Sequence, residues 1–207
     1  MIKLLLKFAF KAGVLTLASL FILSVVMLPA AERAGGGIYD KTLRLHIRAN
    51  SDDARDQELK LKVRDGVISF LTPLLEDCTS SAECVTRARS LEREIEEEAK
   101  KVLCDEGCDL PVRARIAREY YPTREYGDCA YPAGVYDSLE ISIGEGAGQN
   151  WWCVVFPPLC LDRSAAQDDA LKSGYTDGEA ATVKREGAGE VRFFLLDLIA
   201  KIRHWFD

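Results

Sequence analysis

Leu43-Arg44-Leu45-His46-Ile47-Arg48 alternates apolar and polar residues one by one, and Asn50-Ser51-Asp52-Asp53 follows it. A period of two marks a strand with one buried face. Leu43, Leu45 and Ile47 are therefore expected in a core, and Arg44, His46 and Arg48 on a basic, wet face. The polar corner stops the strand and starts a helix. Ser51 or Asp52 can cap its free N–H groups, and Asp53 and Asp56 suit its positive end. Leu59, Val63, Val67, Phe70 and Leu74 then recur at helical spacing. Gly66 weakens that helix, and Pro73 is expected to kink or end it. Ser80-Ser81-Ala82-Glu83 has the pattern of a capping box. Val85, Ala88, Leu91, Ile95, Ala99 and Val102 form a second stripe, closed by Gly107 and Pro111. The short link at 77–80 makes the two helices an antiparallel hairpin.

Three more strands are expected downstream. Val112, Ala114 and Ile116 alternate with arginines, Val135 to Ile143 alternates through Leu139 and Ile141, and Asn150 to Phe156 is densely apolar before Pro157-Pro158. Gly144, Gly146 and Gly148 form the turn between the last two. The result is an α+β domain over 42–163. It has a small, mostly antiparallel sheet of about four strands in β-α-α-β-β-β order. The helix hairpin covers one face, and nothing is predicted to cover the other. Residues 164–190 are polar and Gly/Ala-rich and read as a flexible linker. At 191–207, Val191, Phe194, Leu195, Leu198, Ile202, Trp205 and Phe206 form an amphipathic helix, flanked by Phe193, Leu196 and Ile199. It can dock on its own domain, which is favoured, or meet anionic headgroups through Arg192, Lys201 and Arg203.

At the other end, Lys3, Lys7 and Lys11 precede an uncharged run from Ala12 to Leu28, and Pro29-Ala30-Ala31 follows. Residues 1–31 have the plan of a secretory signal or a short N-terminal membrane anchor, and 32–41 are a spacer. Everything beyond is expected outside the cytoplasmic membrane. All seven cysteines of the 207 residues lie in that part, which fits an oxidising compartment. Lys plus Arg is 27 and Asp plus Glu 33, for a net charge of −6. That balance argues against a nucleic-acid binder, which needs a basic face to displace counterions.

No convincing chemical centre emerges. His46 is the one histidine of the domain, and Cys104-x-x-x-Cys108 has no second pair to complete a zinc site. The glycines at 144, 146 and 148 do not fit a phosphate-binding G-x-G-x-x-G. The carboxylates at 92, 94, 96, 97 and 98 read as a solvated helix face. No catalytic residue, metal or cofactor is expected. His46 with Cys153 as a nucleophile pair, or with a carboxylate, would make the chain an exported, cell-wall-associated hydrolase, and that is the alternative. Cys84 and Cys104 stand too far apart on one helix to bridge. Cys78–Cys84 and Cys104–Cys108 remain open, Cys129 is left over, and a Cys153–Cys160 disulfide is expected around the two prolines.

Three segments together resemble the stage II sporulation protein R family. They are Leu43–Asp52 continuing through Asp56-Gln57, Leu59-Lys60 and Val63-Arg64-Asp65; Tyr121-Pro122-Thr123-Arg124-Glu125-Tyr126-Gly127 with Tyr131-Pro132-Ala133-Gly134; and Gly144-Glu145-Gly146 with Asn150-Trp151-Trp152-Cys153 and Phe156-Pro157-Pro158-Leu159-Cys160. The resemblance covers about 42–162. It implies a signalling protein, not an enzyme, secreted from the forespore into the space between forespore and mother cell. There it would activate a membrane aspartic protease, stage II sporulation protein GA, which cleaves pro-sigma-E. The expected contact surface is Arg44, His46 and Arg48 with the corner of Asn50, Ser51 and Asp52; plain helix capping explains the corner equally well. Trp151 and Trp152 must point to opposite faces, one into the core and one as an interface anchor.

Overall fold

The computed structural model describes residues 37–158 and 174–206, together with 11, 13–16 and 19. The rest of the expected signal segment, spacer residues 32–36, Cys160 and linker residues 164–173 lie outside the described residues.

The architecture is α+β. Strand β1 (Leu43–Arg48) leads into α1 (Ala54–Leu75), α2 (Ser81–Ser90) and α3 (Glu92–Asp105). Then come β2 (Val112–Tyr121), β3 (Arg124–Tyr126), β4 (Cys129–Tyr131), β5 (Gly134–Ile143) and β6 (Asn150–Phe156), and finally α4 (Asp177–Val183) and α5 (Ala188–Phe206). The main sheet has the order β2-β5-β1-β6, and β3 and β4 form a separate small hairpin. β1 runs parallel to β5, with His46 opposite Glu140, and antiparallel to β6, with His46 opposite Trp152. β2 is antiparallel to β5, so the sheet is mixed with two of its three pairings antiparallel.

The period-two register holds. Leu43, Leu45 and Ile47 are fully buried in one core with Leu59, Val63, Val67, Ile95, Leu103, Leu139 and Ile141. Gly66 has a packing role in the helix hairpin: a Cβ there would meet Val102 Cγ2 at 2.6 Å, so it permits the close approach of α1 and α3. Pro73 is accommodated in the last turn of α1. The stripe from Val85 to Val102 is divided between two helices that meet at Leu91. Past the break, Glu92 accepts the Ile116 N–H at 2.7 Å and Glu96 the Ala114 N–H at 2.8 Å. These two carboxylates cover backbone donors of the edge strand β2, so the acidic run is more than a solvated face.

The second sheet face is not bare. A second core of Ile38, Tyr121, Cys129, Tyr131, Tyr136, Val154, Tyr175, Val183 and Leu196 lies on it. The stretch read as a flexible linker contributes to this core. Tyr175 and Val183 are buried, and Thr176 and Glu179 close a capping box at the start of α4. α5 packs on α4 at Gly189, where a Cβ would meet the Ala181 carbonyl oxygen at 2.1 Å. It docks on the domain through Phe193, Leu196 and Asp197. Asp197 accepts from the Ala133 N–H at 2.9 Å and from the Thr123 hydroxyl. Burial would raise the Asp197 carboxyl, but these bonds and Lys201 hold it below its ordinary range.

The docked face of α5 is thus the flanking row of the sequence pattern. Leu196 is 4% exposed and Leu198 43%. Leu196→Ala is expected to cost about 2–5 kcal/mol, as core truncations do, whereas Leu198→Ala stays within about 0.5 kcal/mol, as surface changes do. Urea unfolding of the two variants checks the docking register.

Candidate functional site

On the second face, cross-strand neighbours set the site. Arg44 lies opposite Ser138 and Val154, His46 opposite Glu140 and Trp152, and Arg48 opposite Ser142 and Asn150. The face runs from fully covered at Arg44 to partly open at Arg48, whose side chain is 36% exposed.

Arg44, expected in water, is wholly buried. Its guanidinium carbon sits 4.3 Å from the centre of the Tyr121 ring, 5.0 Å from Tyr136, 5.2 Å from Tyr131 and 5.6 Å from Tyr126. Nε donates to the Cys153 carbonyl at 3.1 Å and Nη2 to the Tyr126 hydroxyl at 2.7 Å. Nη1 has no hydrogen-bond acceptor among the described residues, so ring faces are what it meets. Burial raises the phenols of Tyr121, Tyr131 and Tyr136, while the Arg44 charge pulls each the other way. The rings stay neutral at physiological pH and present their negative faces to the cation.

His46 is also buried, 2% exposed. Nδ1 lies 3.0 Å from Glu119 Oε2 and Nε2 2.9 Å from Asn150 Oδ1. Both ring nitrogens are thus engaged by side chains of neighbouring strands. The ring stacks on Trp152 with centroids 3.8 Å apart. Glu119 also pairs with Arg48 at 3.2 Å, and Glu140 joins Arg48 at 3.3 Å to Arg115. Burial alone would raise the Glu119 carboxyl, but the bond from His46 and the charges of His46 and Arg48 bring it well below its ordinary value. Cys153 lies opposite Leu45 and packs in the other core. His46 and Cys153 are therefore on opposite faces, and the nucleophile pair of the hydrolase reading is not formed.

The corner after β1 is not a simple cap. Asp53 occupies the cap position of α1 without a side-chain bond to the helix. Asn50 and Ser51 both donate to Asp56, at 2.7 and 2.6 Å, and hold its carboxyl below the ordinary range. Asn50 Oδ1 accepts the Glu145 N–H and Asp52 the Gln149 N–H. The corner therefore ties β1 to the β5–β6 loop. Gly144 and Gly146 have φ of 57° and 62° there, and a Cβ on Gly148 would meet the Ser51 carbonyl oxygen at 2.1 Å.

Trp151 and Trp152 do face opposite ways, and both are half-buried. Trp151 borders the first core with Arg64 5.1 Å from its ring centre, and Trp152 borders the second with Arg124 at 5.5 Å. Cys78, Cys84, Cys104 and Cys108 are free thiols, and Cys129 is buried in the second core. Burial raises the Cys84 thiol, as does its neighbour Cys78. Cys153 is not among the free thiols, while Cys160 lies outside the described residues. Among the described residues no group of three or more His, Cys, Asp or Glu side chains is arranged to hold a metal ion.

The profile of the family described as Stage II sporulation protein R matches residues 39–166. The chain belongs to the stage II sporulation protein R family. It is 35% identical over 186 residues to Stage II sporulation protein R of Bacillus subtilis (strain 168), covering 80% of this chain and 83% of that protein. No solved structure matches.

The three segments that carry the family resemblance meet at Arg44 and His46. The first supplies both side chains, the second three of the four tyrosines, and the third Trp152, Asn150 and the Cys153 carbonyl. Sequence reasoning missed Glu119, Glu140 and Arg115 on neighbouring strands, and the tyrosines. A signal for the latter was present, since Tyr121, Tyr126, Tyr131 and Tyr136 recur every five residues.

A carboxyl whose pKa is lowered by folding stabilises at neutral pH, and that contribution fades as pH falls through the folded value. Glu119→Gln is therefore expected to lower the urea midpoint at pH 7. Its deficit relative to wild type should shrink as pH drops below about 5. Unfolding curves at stepped pH measure both.

Proposed function

We propose that the chain is a secreted signal of sporulation. In this reading it crosses the forespore membrane and activates stage II sporulation protein GA, which then cleaves pro-sigma-E in the mother cell. The chain acts as a ligand and not as an enzyme. Family membership supports the sporulation role. The basic and apolar N-terminal sequence supports export, and a Cys153–Cys160 disulfide belongs to the same proposal.

The observation that carries the proposal is a rim where the first and third signature segments reach solvent side by side. Arg48, Asn50, Ser51 and Trp152 are partly exposed there, and Asp52, Gln149 and Asn150 are exposed. Arg44 and His46 lie beneath the rim and act by holding its shape. A half-buried tryptophan backed by a stacked histidine is a rigid anchor of the kind that dominates protein interfaces. Activation then follows if the rim binds the active state of the protease more tightly than the inactive one.

Co-expression of the chain, the protease and pro-sigma-E in a non-sporulating host tests this. Processed sigma factor is expected only when all three are present. Because Glu119 and Glu140 lose a partner in Arg48→Ala, that variant is read at a temperature where it remains folded. It should cut the processed fraction by about tenfold, a loss of about 1.4 kcal/mol in contact energy. Arg93→Ala, on the far helix layer, should have no effect. Processing that is independent of the chain would overturn the function, and full processing with Arg48→Ala would overturn the rim.

A further inference from the structure

α5 is used on both sides. Phe193, Leu196 and Asp197 face the domain, yet Val191, Phe194, Leu198, Ile202, Trp205 and Phe206 remain exposed, Trp205 at 86%. At 100° per residue these six fall on one stripe, on the side of the helix away from the docked row. An apolar stripe of this length along a docked helix is not needed to hold the fold. Among the described residues no helix is long and apolar enough to cross a membrane.

The surroundings of the stripe are cationic. By the same helical spacing Lys201 borders it on one side and Arg192 and Arg203 on the other; Lys201 is paired with Asp197 at 2.6 Å and is still 55% exposed. Beyond Arg203 a cleft of about 560 Å³ opens between α5 and strands β2 and β5, lined by Tyr39, by Arg118 paired with Asp40 at 3.5 Å, and by His204 stacked on Tyr120. The position of the chain entry is the second argument. Residues 37–41 pack beside α4 and α5, where Lys41 binds Glu179 at 2.8 Å and Tyr39 lines the same cleft. The basic and uncharged sequence of residues 3–28 is joined to that point by residues 29–36 alone. Any bilayer that takes up this segment is thereby brought to the α5 side of the domain.

We propose that the outward stripe of α5 lies in the interface of an anionic lipid bilayer while its opposite face holds the domain. Phe194, Leu198 and Ile202 enter the acyl boundary, Trp205 sits at headgroup level, and Arg192, Lys201 and Arg203 meet the phosphates. The domain is thus oriented on the membrane by its own C-terminal helix. This holds independently of what the rim binds.

The test uses the full chain with phosphatidylglycerol vesicles carrying brominated acyl chains, and reads tryptophan quenching. Sedimentation is not informative here, because the N-terminal segment can itself hold the chain on vesicles. Quenching is expected, and Trp205→Phe should remove more than half of it. Phe194→Glu with Leu198→Glu should reduce it about fivefold without a change in melting. Vesicles of phosphatidylcholine alone should quench several-fold less. Quenching that survives Trp205→Phe, or Trp205 emission that stays as open to iodide with vesicles as without, would overturn the proposal. So would a dimer in solution that Leu198→Glu dissociates, since the stripe would then be covered by a second copy.

Discussion

A guanidinium with no salt bridge among the described residues, enclosed by four tyrosine rings, is the constraint on which the domain depends. Arg44 is the second residue of β1, an inner strand of the sheet, and its complete burial requires cover on the second sheet face. Burying a cation costs several kcal/mol unless other groups replace its water. Four ring faces and two hydrogen bonds do so here, and the rings and acceptors come from distant parts of the chain. Tyr121 ends β2, Tyr126 and Tyr131 lie on the β3–β4 hairpin, and Tyr136 lies on β5. Whatever misplaces the hairpin also opens the charge to solvent, which makes the whole face cooperative.

The neighbouring site inherits this arrangement. His46 is held between Glu119 and Asn150 and flat against Trp152, and Trp152 also meets Tyr121, which is itself a wall of the Arg44 box. The rim that faces solvent is therefore set by the buried polar layer beneath it. The same layer connects to the C-terminal part of the chain, since Thr123 and Ala133 at the two ends of the hairpin segment bind Asp197 of α5. α4 and α5 complete the second core, so the fold extends well beyond the region that matches the family profile.

How much of this was legible follows from periodicity. β1, the helix hairpin and the strands at 112, 135 and 150 were visible because each repeats its apolar residues over many positions. The cover of the second face was not. β3 and β4 have three residues each, too few to show alternation. Arg44 was placed in water because alternation treats every polar residue as outward, and it says nothing of aromatic rings arriving from about 77 to 92 residues away. The partnership of His46 with Glu119 depends on strand order, which the pattern of one strand does not contain. The segment around Tyr175 and Val183 looked like a linker because two buried apolar side chains in a polar stretch are enough to seat a short helix. α5 was recognised as amphipathic, but its apolar sector is wide enough to offer two faces, and the flanking row is the one that docks.

The most direct test of the Arg44 box is arginine side-chain NMR on protein labelled with nitrogen-15. One Nε–H resonance is expected to be shifted upfield by the surrounding rings, to exchange with solvent only through unfolding, and to vanish in Arg44→Lys. An Arg44 Nε–H with an ordinary shift and rapid exchange at neutral pH would contradict the account, because the guanidinium would then be in water and the second face would be held by something else.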